Sequence, residues 1–205
     1  MDRWEKLKEL KENILAMEEY AKENNVPIIE KKSIVYIMKY IKEHNVEAIL
    51  EIGSAIGYSA ILMASSNSKA QVTTIERDEA RYMECLKNVK KCGMEKRINV
   101  VYQDALELNL SEELKYDLIF INAAKGQYIK FFEKYKNFLK PGGVIITDNI
   151  KFHDYVGKSN MLDKGNLKSL VEKIESYIEF LKNNPEFDTK FLNIGDGLSI
   201  SRWKN

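Results

Sequence analysis

The chain has 205 residues, of which 44% are apolar and 31% charged, and its formal net charge is +1. This length and balance favour one soluble globular domain and exclude intrinsic disorder, which needs low hydrophobicity and high net charge. They also give no overall basic character of the kind that marks many nucleic-acid-binding proteins, although a local basic face is sufficient to bind RNA.

Nothing in the sequence predicts a membrane segment or a metal site built from histidine and cysteine. No apolar run approaches the ~20 residues that span a bilayer. The first residues, MDRWEKLKELKEN, lack the apolar core of a secretory signal, so the expected location is the cytoplasm. Cys85 and Cys92 match no common zinc spacing, and His44 and His153 cannot by themselves hold a metal.

Two helices are expected before the first strand. Apolar residues recur at helical spacing up to Asn24, and Pro27 follows the end of this pattern. A second helix is expected near Ser33. We interpret residues 1–45 as a helical extension of a single domain that covers residues 1–205. The apolar face of the first helix carries Trp4, Leu7, Leu10, Ile14, Met17 and Ala21.

From residue 48 onward, short apolar runs alternate with helical patterns, which predicts an α/β fold with a mostly parallel sheet covered by helices on both faces. The last two strands lie too close together for a crossover helix and should form an antiparallel hairpin. The runs predict strands at 48–53, 71–76, 98–103, 116–121, 144–148, 187–192 and 198–203. Helices are expected from about residue 58 and over 78–91, 127–139 and 167–181, with a turn at 141–143.

The first of these strands runs into a turn with the sequence EIGSAIGYS, residues 51–59. Ligands of open α/β sheets bind beyond the carboxyl ends of the strands, so this turn is a candidate binding element. It is not the dinucleotide pattern G-x-G-x-x-G, because Ala55 and Tyr58 stand where glycines are needed, and this argues against NAD and FAD. The spacing of Gly53 and Gly57 resembles motif I of class I S-adenosylmethionine (SAM)-dependent methyltransferases.

Acidic residues follow the next two strands. Glu76 lies about 20 residues after the glycine turn, where a carboxylate can accept hydrogen bonds from both ribose hydroxyls. Asp104 and Ala105 follow the third strand, and the resemblance implies that the acid contacts the adenine amino group. It therefore implies a Rossmann-like methyltransferase sheet with SAM as cofactor. The residues assigned to the cofactor are Ile29, Glu51, Gly53, Ser54, Gly57, Tyr58, Ser59, Glu76, Arg77, Asp104, Ala105, Asn122 and Tyr128.

Polar residues also follow the fourth and fifth strands, as the segments 122–125 (NAAK) and 148–149 (DN). These segments resemble the cation-dependent O-methyltransferase family, which includes catechol and caffeoyl-CoA O-methyltransferases, and the resemblance covers nearly the whole chain. In that family D-A-x-K and D-N hold a divalent metal, and the lysine acts on the acceptor hydroxyl. The resemblance implies that Lys125 and Asp148 are catalytic, and that Asn122, Asp148 and Asn149 are ligands of Mg²⁺.

Position 122 departs from this family, because Asn122 stands where aspartate is usual. The ligand set would then carry one negative charge instead of two, and Mg²⁺ should bind more weakly. Either the Asn122 carbonyl oxygen still ligates the metal, or the enzyme acts on an already acidic hydroxyl with little help from a metal. The same change leaves open a module that binds SAM without catalysis.

Three segments resemble bacterial tRNA 5-hydroxyuridine methyltransferases, which convert a modified wobble uridine to 5-methoxyuridine. They are residues 26–32 (VPIIEKK), 123–128 (AAKGQY) and 195–201 (GDGLSIS). The resemblance implies tRNA as the substrate and a homodimer as the assembly. A small phenol of the catechol type is the alternative acceptor.

Basic and aromatic residues interleave after the DN segment, as a nucleotide-binding rim would require. They are Lys151, Phe152, His153 and Tyr155, and Lys158, Lys164 and Lys168 would continue the basic track. An ordinary solvated loop is the alternative interpretation.

Overall fold

The structure, a computed structural model that describes residues 2–204, contains thirteen main elements within that range. The strands are β1 (Ala48–Ile52), β2 (Gln71–Glu76), β3 (Ile98–Tyr102), β4 (Tyr116–Ile121), β5 (Leu139–Asp148), β6 (Phe187–Leu192) and β7 (Leu198–Trp203). The helices are α1 (Arg3–Glu23), α2 (Lys31–Glu43), α3 (Tyr58–Ser66), α4 (Glu79–Lys91), α5 (Tyr128–Tyr135) and α6 (Asn166–Lys182).

All seven strands form one sheet in the order β3-β2-β1-β4-β5-β7-β6. The first five are parallel to their neighbours, while β7 runs antiparallel to β5 and pairs with β6 as a hairpin. The α/β class with a C-terminal antiparallel hairpin is therefore confirmed. Because β1 lies between β2 and β4, the chain changes direction across the sheet there, and ligands of such sheets bind at this switch point.

Alternate residues along the central strands divide the core into two layers. Ile49 of β1 packs with the apolar faces of α1 to α4, whereas Leu50 and Ile52 face the aromatic cluster around α5 and α6. Phe132 lies within this second layer, with its ring against those of Phe180 and Phe187. Both faces of the sheet are thus covered, as the near-continuous apolar strands predict.

The region between β4 and β5 differs from its sequence-based prediction. A helix over 127–139 and a turn at 141–143 were expected. The structure has α5 to Tyr135 and a 3₁₀ turn over Lys136–Phe138, but β5 already begins at Leu139 and includes the expected turn. The Pro141–Gly143 segment is an excursion within β5, since Tyr116 pairs with Leu139 and Leu118 pairs with Val144. Strand pairing before and after the glycines has overridden the local turn signal, and Gly142 takes up the kink with a φ of +80°.

The predicted apolar face of α1 is only partly used within the described chain. Met17 and Ala21 are buried in the core, whereas Trp4 is 80% exposed and Leu7 50% exposed. The C-terminal half of α1 therefore packs on the fold and the N-terminal half projects from it. None of the helices in residues 2–204 is both long enough and apolar enough to cross a bilayer.

We propose that the chain forms one domain, as the sequence suggested, because a single sheet carries all seven strands. The N-terminal extension of residues 1–45 contributes to the same core through α1 and α2. Met1 and Asn205, at the limits of the predicted domain, lie outside the described residues.

Asp117 ties three strands together at the edge opposite the switch point. Its Oδ2 accepts hydrogen bonds from the backbone N–H groups of Glu47 (3.0 Å) and Ala48 (2.7 Å), and its Oδ1 lies 3.0 Å from Lys140 Nζ. Burial alone would raise the pKa of Asp117, but the bonds from Ala48, Lys140 and Glu47 lower it overall. The ionised carboxylate therefore stabilises the fold above the pKa of the unfolded chain, and this contribution is lost as the pH falls through the folded-state pKa.

We expect Asp117→Ala to lower the free energy of unfolding by about 2 kcal/mol at pH 7, because two backbone donors lose a charged acceptor. The difference from the unsubstituted chain should shrink below pH 4. Urea unfolding at several pH values measures both effects. Glu112→Ala, at an exposed carboxylate, is the matched control. Equal unfolding free energies for the two variants would contradict this role of Asp117.

Candidate active site

A cleft of ≈490 Å³ opens beyond the carboxyl ends of the parallel strands. Its volume falls in the range that binds cofactor-sized ligands. One end lies over the turns after β1, β2 and β3, and the other reaches the turns after β4 and β5. Its lining residues include Ile28, Glu30, Gly53, Ala55, Glu76, Arg77, Asp104, Ala105, Asn122, Lys125, Asn149 and His153.

Gly53 forms the floor of the cleft where β1 meets β4. Its backbone has a φ of +95°, and a Cβ at this position would lie 2.4 Å from the carbonyl oxygen of Asn122. No side chain fits in that space, so glycine is required both for the turn and for the approach of the two strand ends. The N–H of Gly53 donates to the carbonyl of Ile75, which fixes the turn against β2.

The Glu76 carboxylate organises the next part of the cleft. Its Oε2 accepts a hydrogen bond from the N–H of Ala55 (2.9 Å), and its Oε1 accepts from the N–H groups of Arg77 and Asp78 (both 2.9 Å). The side chain is buried yet lines the cleft. Three of the roughly four acceptor positions of the carboxylate are thus occupied, and Oε2 keeps one for a ligand hydroxyl.

Asp104 and Arg77 form an ion pair at the outer end of the cleft, with Nη1 and Oδ2 3.1 Å apart. The pKa of Asp104 is lowered, chiefly by the hydrogen bond that its Oδ1 accepts from the N–H of Leu106. The buried hydroxyl of Tyr135 donates to the carbonyl of Ala105 at 2.6 Å and so holds this turn from below. The structure thus brings the predicted acid after β3 into the same cleft as Glu76.

Lys125 stands at the other end of the cleft, on a short 3₁₀ turn between β4 and α5. Burial lowers the pKa of its ammonium, while the charges of Asp148 and Asp196 act in the opposite sense. Its Nζ lies 5.4 Å from the centroid of the Phe152 ring. A half-buried lysine with a lowered pKa can accept a proton more readily than a solvated one.

Asp148, at the end of β5, is 1% exposed. Burial raises its pKa to about 6, against the opposing effects of Asn149 and Lys125. Its Oδ1 has no hydrogen-bond partner among residues 2–204, and its Oδ2 accepts from the Asn149 amide at 2.9 Å. The buried Ser33 hydroxyl, which also lacks a hydrogen-bond partner within residues 2–204, lowers the pKa of Asp148 and is the neighbouring donor available to this carboxylate.

The predicted Mg²⁺ ligands provide a weak donor set. Asn122, Asp148 and Asn149 follow adjacent strands, but they include a single carboxylate, and the amide nitrogen of Asn149 is turned towards it. Within residues 2–204, no group of three or more histidine, cysteine or acidic side chains is placed to hold a metal. Because Mg²⁺ sites depend on carboxylates, this set does not fit the ion well.

Several of the residues assigned to the cofactor lie beneath the cleft and do not line it. They are all buried, and this group consists of Ile29, Glu51, Ser54, Gly57, Tyr58, Ser59 and Tyr128. The Glu51 carboxylate accepts hydrogen bonds from Ser59 and Thr74, and burial raises its pKa to about 7. Tyr58 instead donates to Glu18 of α1. These side chains support the turns that form the cleft, and their direct contact with a cofactor stays a prediction.

Sequence reasoning did not single out two residues near the end of the cleft that the turns after β4 and β5 form. Glu30 lines the cleft from the start of α2, and Asp196 is buried in the turn between β6 and β7. Asp196 stands between two glycines, Gly195 and Gly197, and that pattern could have indicated a tightly packed acid. No local pattern distinguishes Glu30 from the neighbouring surface charges, because only the fold brings it to the cleft.

The segment after β5 has an unusual backbone. Phe152, His153 and Asp154 have φ values of +44°, +53° and +59° in succession. Left-handed backbone costs a non-glycine residue roughly 1 kcal/mol, so three in a row persist only where the surroundings fix them. His153 nevertheless lines the cleft, which places this strained segment in the wall of the site.

Comparison with known proteins places the chain in a wider group. Residues 2–204 match the family model described as "O-methyltransferase". Tapetum-specific methyltransferase 1 of Arabidopsis thaliana is 31% identical, over 97% of this chain and 86% of the relative. A caffeoyl-CoA O-methyltransferase of Populus kitakamiensis is 27% identical over the same shares of the two chains.

Solved structures give the same picture. A Staphylococcus aureus protein, described provisionally as a caffeoyl-CoA O-methyltransferase, superimposes with a TM-score of 0.89 at 39% identity, covering 93% of this chain and 92% of that one. The Podospora anserina methyltransferase PaMTH1, whose crystal structure is SAH-bound, shares the fold with a TM-score of 0.81 at 20% identity, covering 96% and 88%.

We expect Gly53→Ala to weaken SAM binding by ~10-fold or more, because the added Cβ would collide with the Asn122 carbonyl and open the cleft floor. Gly93→Ala is the matched control, since Gly93 also has a positive φ (+64°) but has nothing within 4 Å of an added Cβ. The control should cost about 1 kcal/mol of stability and leave SAM binding intact. Titration calorimetry with SAM decides between them, and equal affinities would show that Gly53 does not shape the cofactor site.

Proposed function

Because the chain belongs to the O-methyltransferase family and takes its methyl group from SAM, we propose that it methylates the 5-hydroxyl of 5-hydroxyuridine at the tRNA wobble position. The product would be 5-methoxyuridine. The observation that carries the proposal is the position of Lys125, at the acceptor end of the cleft and bordered by aromatic and basic residues of the segment after β5. The resemblance of residues 26–32, 123–128 and 195–201 to bacterial enzymes of this kind supports it.

We assign the cofactor to the end of the cleft that Gly53 and Glu76 form. The buried Glu76 carboxylate keeps an acceptor position on Oε2 for a ribose hydroxyl, and Asp104 and Ala105 lie where the adenine ring would reach. The absence of a side chain at Gly53 lets the methionine part approach the backbone. SAM supplies an electrophilic methyl group on a sulfonium, and the protein has to align an acceptor oxygen with it.

Lys125 and Asp148 would act on the acceptor. A neutral Lys125 takes the proton of the 5-hydroxyl, the oxygen forms the new bond to the methyl carbon, and the carbon–sulfur bond breaks to leave SAH. The lowered pKa of Lys125 favours this role, because more of the amine is neutral near pH 7. After the transfer, the charge of Asp148 stabilises the ammonium that has formed. The acceptor alignment and this proton transfer need no metal ligand.

The rim of the acceptor end suits RNA. Lys151 is paired with Asp154, but Lys158, Lys164, Lys168 and Lys173 form no ion pair within residues 2–204. The Lys173 side chain lies over Gly126, next to Lys125, since a Cβ at Gly126 would meet its Cδ at 3.2 Å. Free ammonium groups beside a cleft can bind the phosphates that flank a flipped-out base.

A small phenol is the second candidate acceptor. It is favoured by the names of the plant relatives, which include caffeoyl-CoA and flavonoid methyltransferases. A catechol hydroxyl would use Lys125 in the same way as a 5-hydroxyl on uridine. The two candidates differ in what binds outside the cleft, because only RNA brings phosphates to the lysine rim.

A homodimer and a cytoplasmic location are part of the same proposal. The exposed apolar side chains of α1, including Trp4 and Leu7, are surfaces that a second copy of the chain would bury. The dimer rests on the family resemblance, whereas the location stays the expectation drawn in the sequence analysis.

The proposal is tested by incubating the protein with labelled SAM and with tRNA from cells that lack this enzyme, in magnesium and then in a chelator. We expect label in the tRNA, with a rate that falls steeply as salt rises, because phosphate contacts release counterions. We also expect most of the activity to survive chelation, since the donor set includes one carboxylate. Salt-insensitive methylation of a catechol, without labelled tRNA, would overturn the tRNA assignment.

Charge-reversal substitutions test whether the lysine rim contributes to tRNA binding without affecting SAM binding in the cleft. Lys158→Glu and Lys168→Glu should each weaken tRNA binding several-fold at low salt and reduce the salt dependence, with SAM affinity unchanged. Lys42→Glu is the matched control. Lys42 lies in the last turn of α2, just before β1, and therefore near the amino ends of the parallel strands, on the side of the sheet opposite the cleft. An equal effect of all three reversals would point to general electrostatics and against a defined track.

We expect Lys125→Ala to lower the methylation rate about 100-fold or more while SAM binding stays within about two-fold, because the lysine acts on the acceptor. Glu76→Ala should weaken SAM binding instead. Rates under saturating SAM and calorimetric affinities give the two quantities. Unchanged turnover in Lys125→Ala would remove the lysine from the methyl-transfer step, and a comparable loss of SAM affinity in both variants would refute this division of roles. No methylation by the unsubstituted chain, with SAM still bound, would fit a SAM-binding module without catalysis.

A further inference from the structure

The turn between β6 and β7 is wedged between two elements that border the acceptor end. A Cβ at Gly197 would lie 2.7 Å from Lys151 Cγ, and one at Gly195 would lie 2.3 Å from Ser33 Oγ and 3.0 Å from Glu30 Oε2. The turn therefore touches the segment after β5 on one side and the start of α2 on the other. Both glycines have a positive φ, so the close packing and the backbone shape exclude side chains there together.

Asp196 points from this turn into the segment after β5. The residue is 7% exposed, and its Oδ1 accepts a hydrogen bond from the backbone N–H of His153 at 2.6 Å. Its own carbonyl accepts from the N–H of Lys151 at 2.9 Å. Its Oδ2 has no hydrogen-bond partner in residues 2–204 and lies 3.7 Å from Nδ1 of the His153 ring. One buried acid thus holds the backbone of His153 and lies beside its ring.

The hydrogen bond from the His153 N–H to Asp196 lies at the most strained part of the segment. His153 is the middle of the three consecutive residues with positive φ. Within the segment, the N–H of Tyr155 donates to the Phe152 carbonyl, and Lys151 pairs with the exposed Asp154. These local bonds are solvent-exposed, whereas the hydrogen bond that the His153 N–H donates to Asp196 comes from a buried acid outside the segment and restrains the left-handed turn at its centre.

The restraint reaches the reacting groups through two neighbours. His153 lines the cleft, and the ring of Phe152 lies under the Lys125 ammonium. We propose that Asp196 is a positioning residue for methyl transfer, which clamps the left-handed turn at residues 152–154 and so sets where His153 and Phe152 stand against the acceptor and Lys125. This inference rests on the proposed acceptor end of the cleft, and it goes beyond the choice of acceptor.

The clamp is tested first without any acceptor. Hydrogen–deuterium exchange of the full chain, with SAH bound, reports on peptides that cover residues 150–158. Asp196→Ala should speed exchange of this segment by about 10- to 100-fold, whereas Asp196→Asn should keep most of the protection, because an amide oxygen still accepts the His153 N–H. Asp188→Ala, on the exposed side of the same hairpin, is the matched control. Unchanged exchange in Asp196→Ala would overturn the clamp.

Kinetics with the two probe acceptors, hydroxyuridine-bearing tRNA and catechol, tests the positioning role. For whichever acceptor is methylated, Asp196→Ala should raise the acceptor KM and lower kcat by about tenfold each, with SAM affinity within about two-fold, and Asp196→Asn should restore most of both. A merely structural residue would lower thermal stability and SAM binding together and leave the acceptor KM unchanged, and that result would overturn the proposal.

The two proposals fail in different ways. If only catechol is methylated, the tRNA assignment fails while the Asp196 variants are still judged on catechol turnover. If tRNA is methylated but the variants show normal exchange and normal KM, the clamp fails and the proposed function stands. If neither acceptor is methylated, the exchange experiment alone decides for or against the clamp.

Discussion

The cleft depends on the hydrogen bonds that the Glu76 carboxylate accepts from three backbone N–H groups, those of Ala55, Arg77 and Asp78. They join the glycine turn after β1 to the end of β2, and they hold a charged group at the bottom of the cleft where water is largely excluded. A carboxylate that is already bonded by the backbone does not have to reorganise when a ligand donates to it, and this preorganisation is what makes such a group an effective binding element. Because Gly53 has no side chain, its backbone can lie against the Asn122 carbonyl without a clash. The end of β4, with Lys125 shortly after it, therefore lies at the same opening.

Different physical effects act on the ionisable groups at the two ends of the cleft. At the cofactor end, acids are well supplied with hydrogen-bond donors, as Asp104 and Glu76 show, and these donors lower the pKa of Asp104. At the acceptor end, burial dominates, since it raises the pKa of Asp148 and lowers that of Lys125. Both shifts bring the pair closer to its neutral forms, where a proton can move at little cost. The substitution of asparagine at position 122 fits this second environment, because it removes one more charge from a region where charges are poorly solvated.

Much of the fold followed from sequence pattern. The apolar strands, the hairpin and the helix positions are local or period-based signals, and only the Pro141–Gly143 excursion within β5 was misjudged, because strand pairing on either side outweighed a strong turn signal. The strand-end residues of the site, such as Glu76, Asp104 and Lys125, could be predicted to converge because parallel strands end at one edge. Glu30 and Asp196 could not, because they come from outside the parallel strands, and only tertiary packing brings Glu30 to the cleft and Asp196 against its wall at His153. The buried position of Glu51 and Ser59 beneath the cleft was equally invisible to a motif.

The left-handed turn at residues 152–154 has a consequence for the history of the sequence. Glycine at these positions would remove the backbone penalty, so selection for stability alone would favour it at Phe152 and Asp154. The chain instead keeps an aromatic ring, an imidazole and a carboxylate there, and tolerates the conformational cost. Substitutions meant to raise thermal stability should therefore leave residues 152–154 unchanged. The strained backbone and the side chains that lie beside the cleft and Lys125 belong to the same short segment.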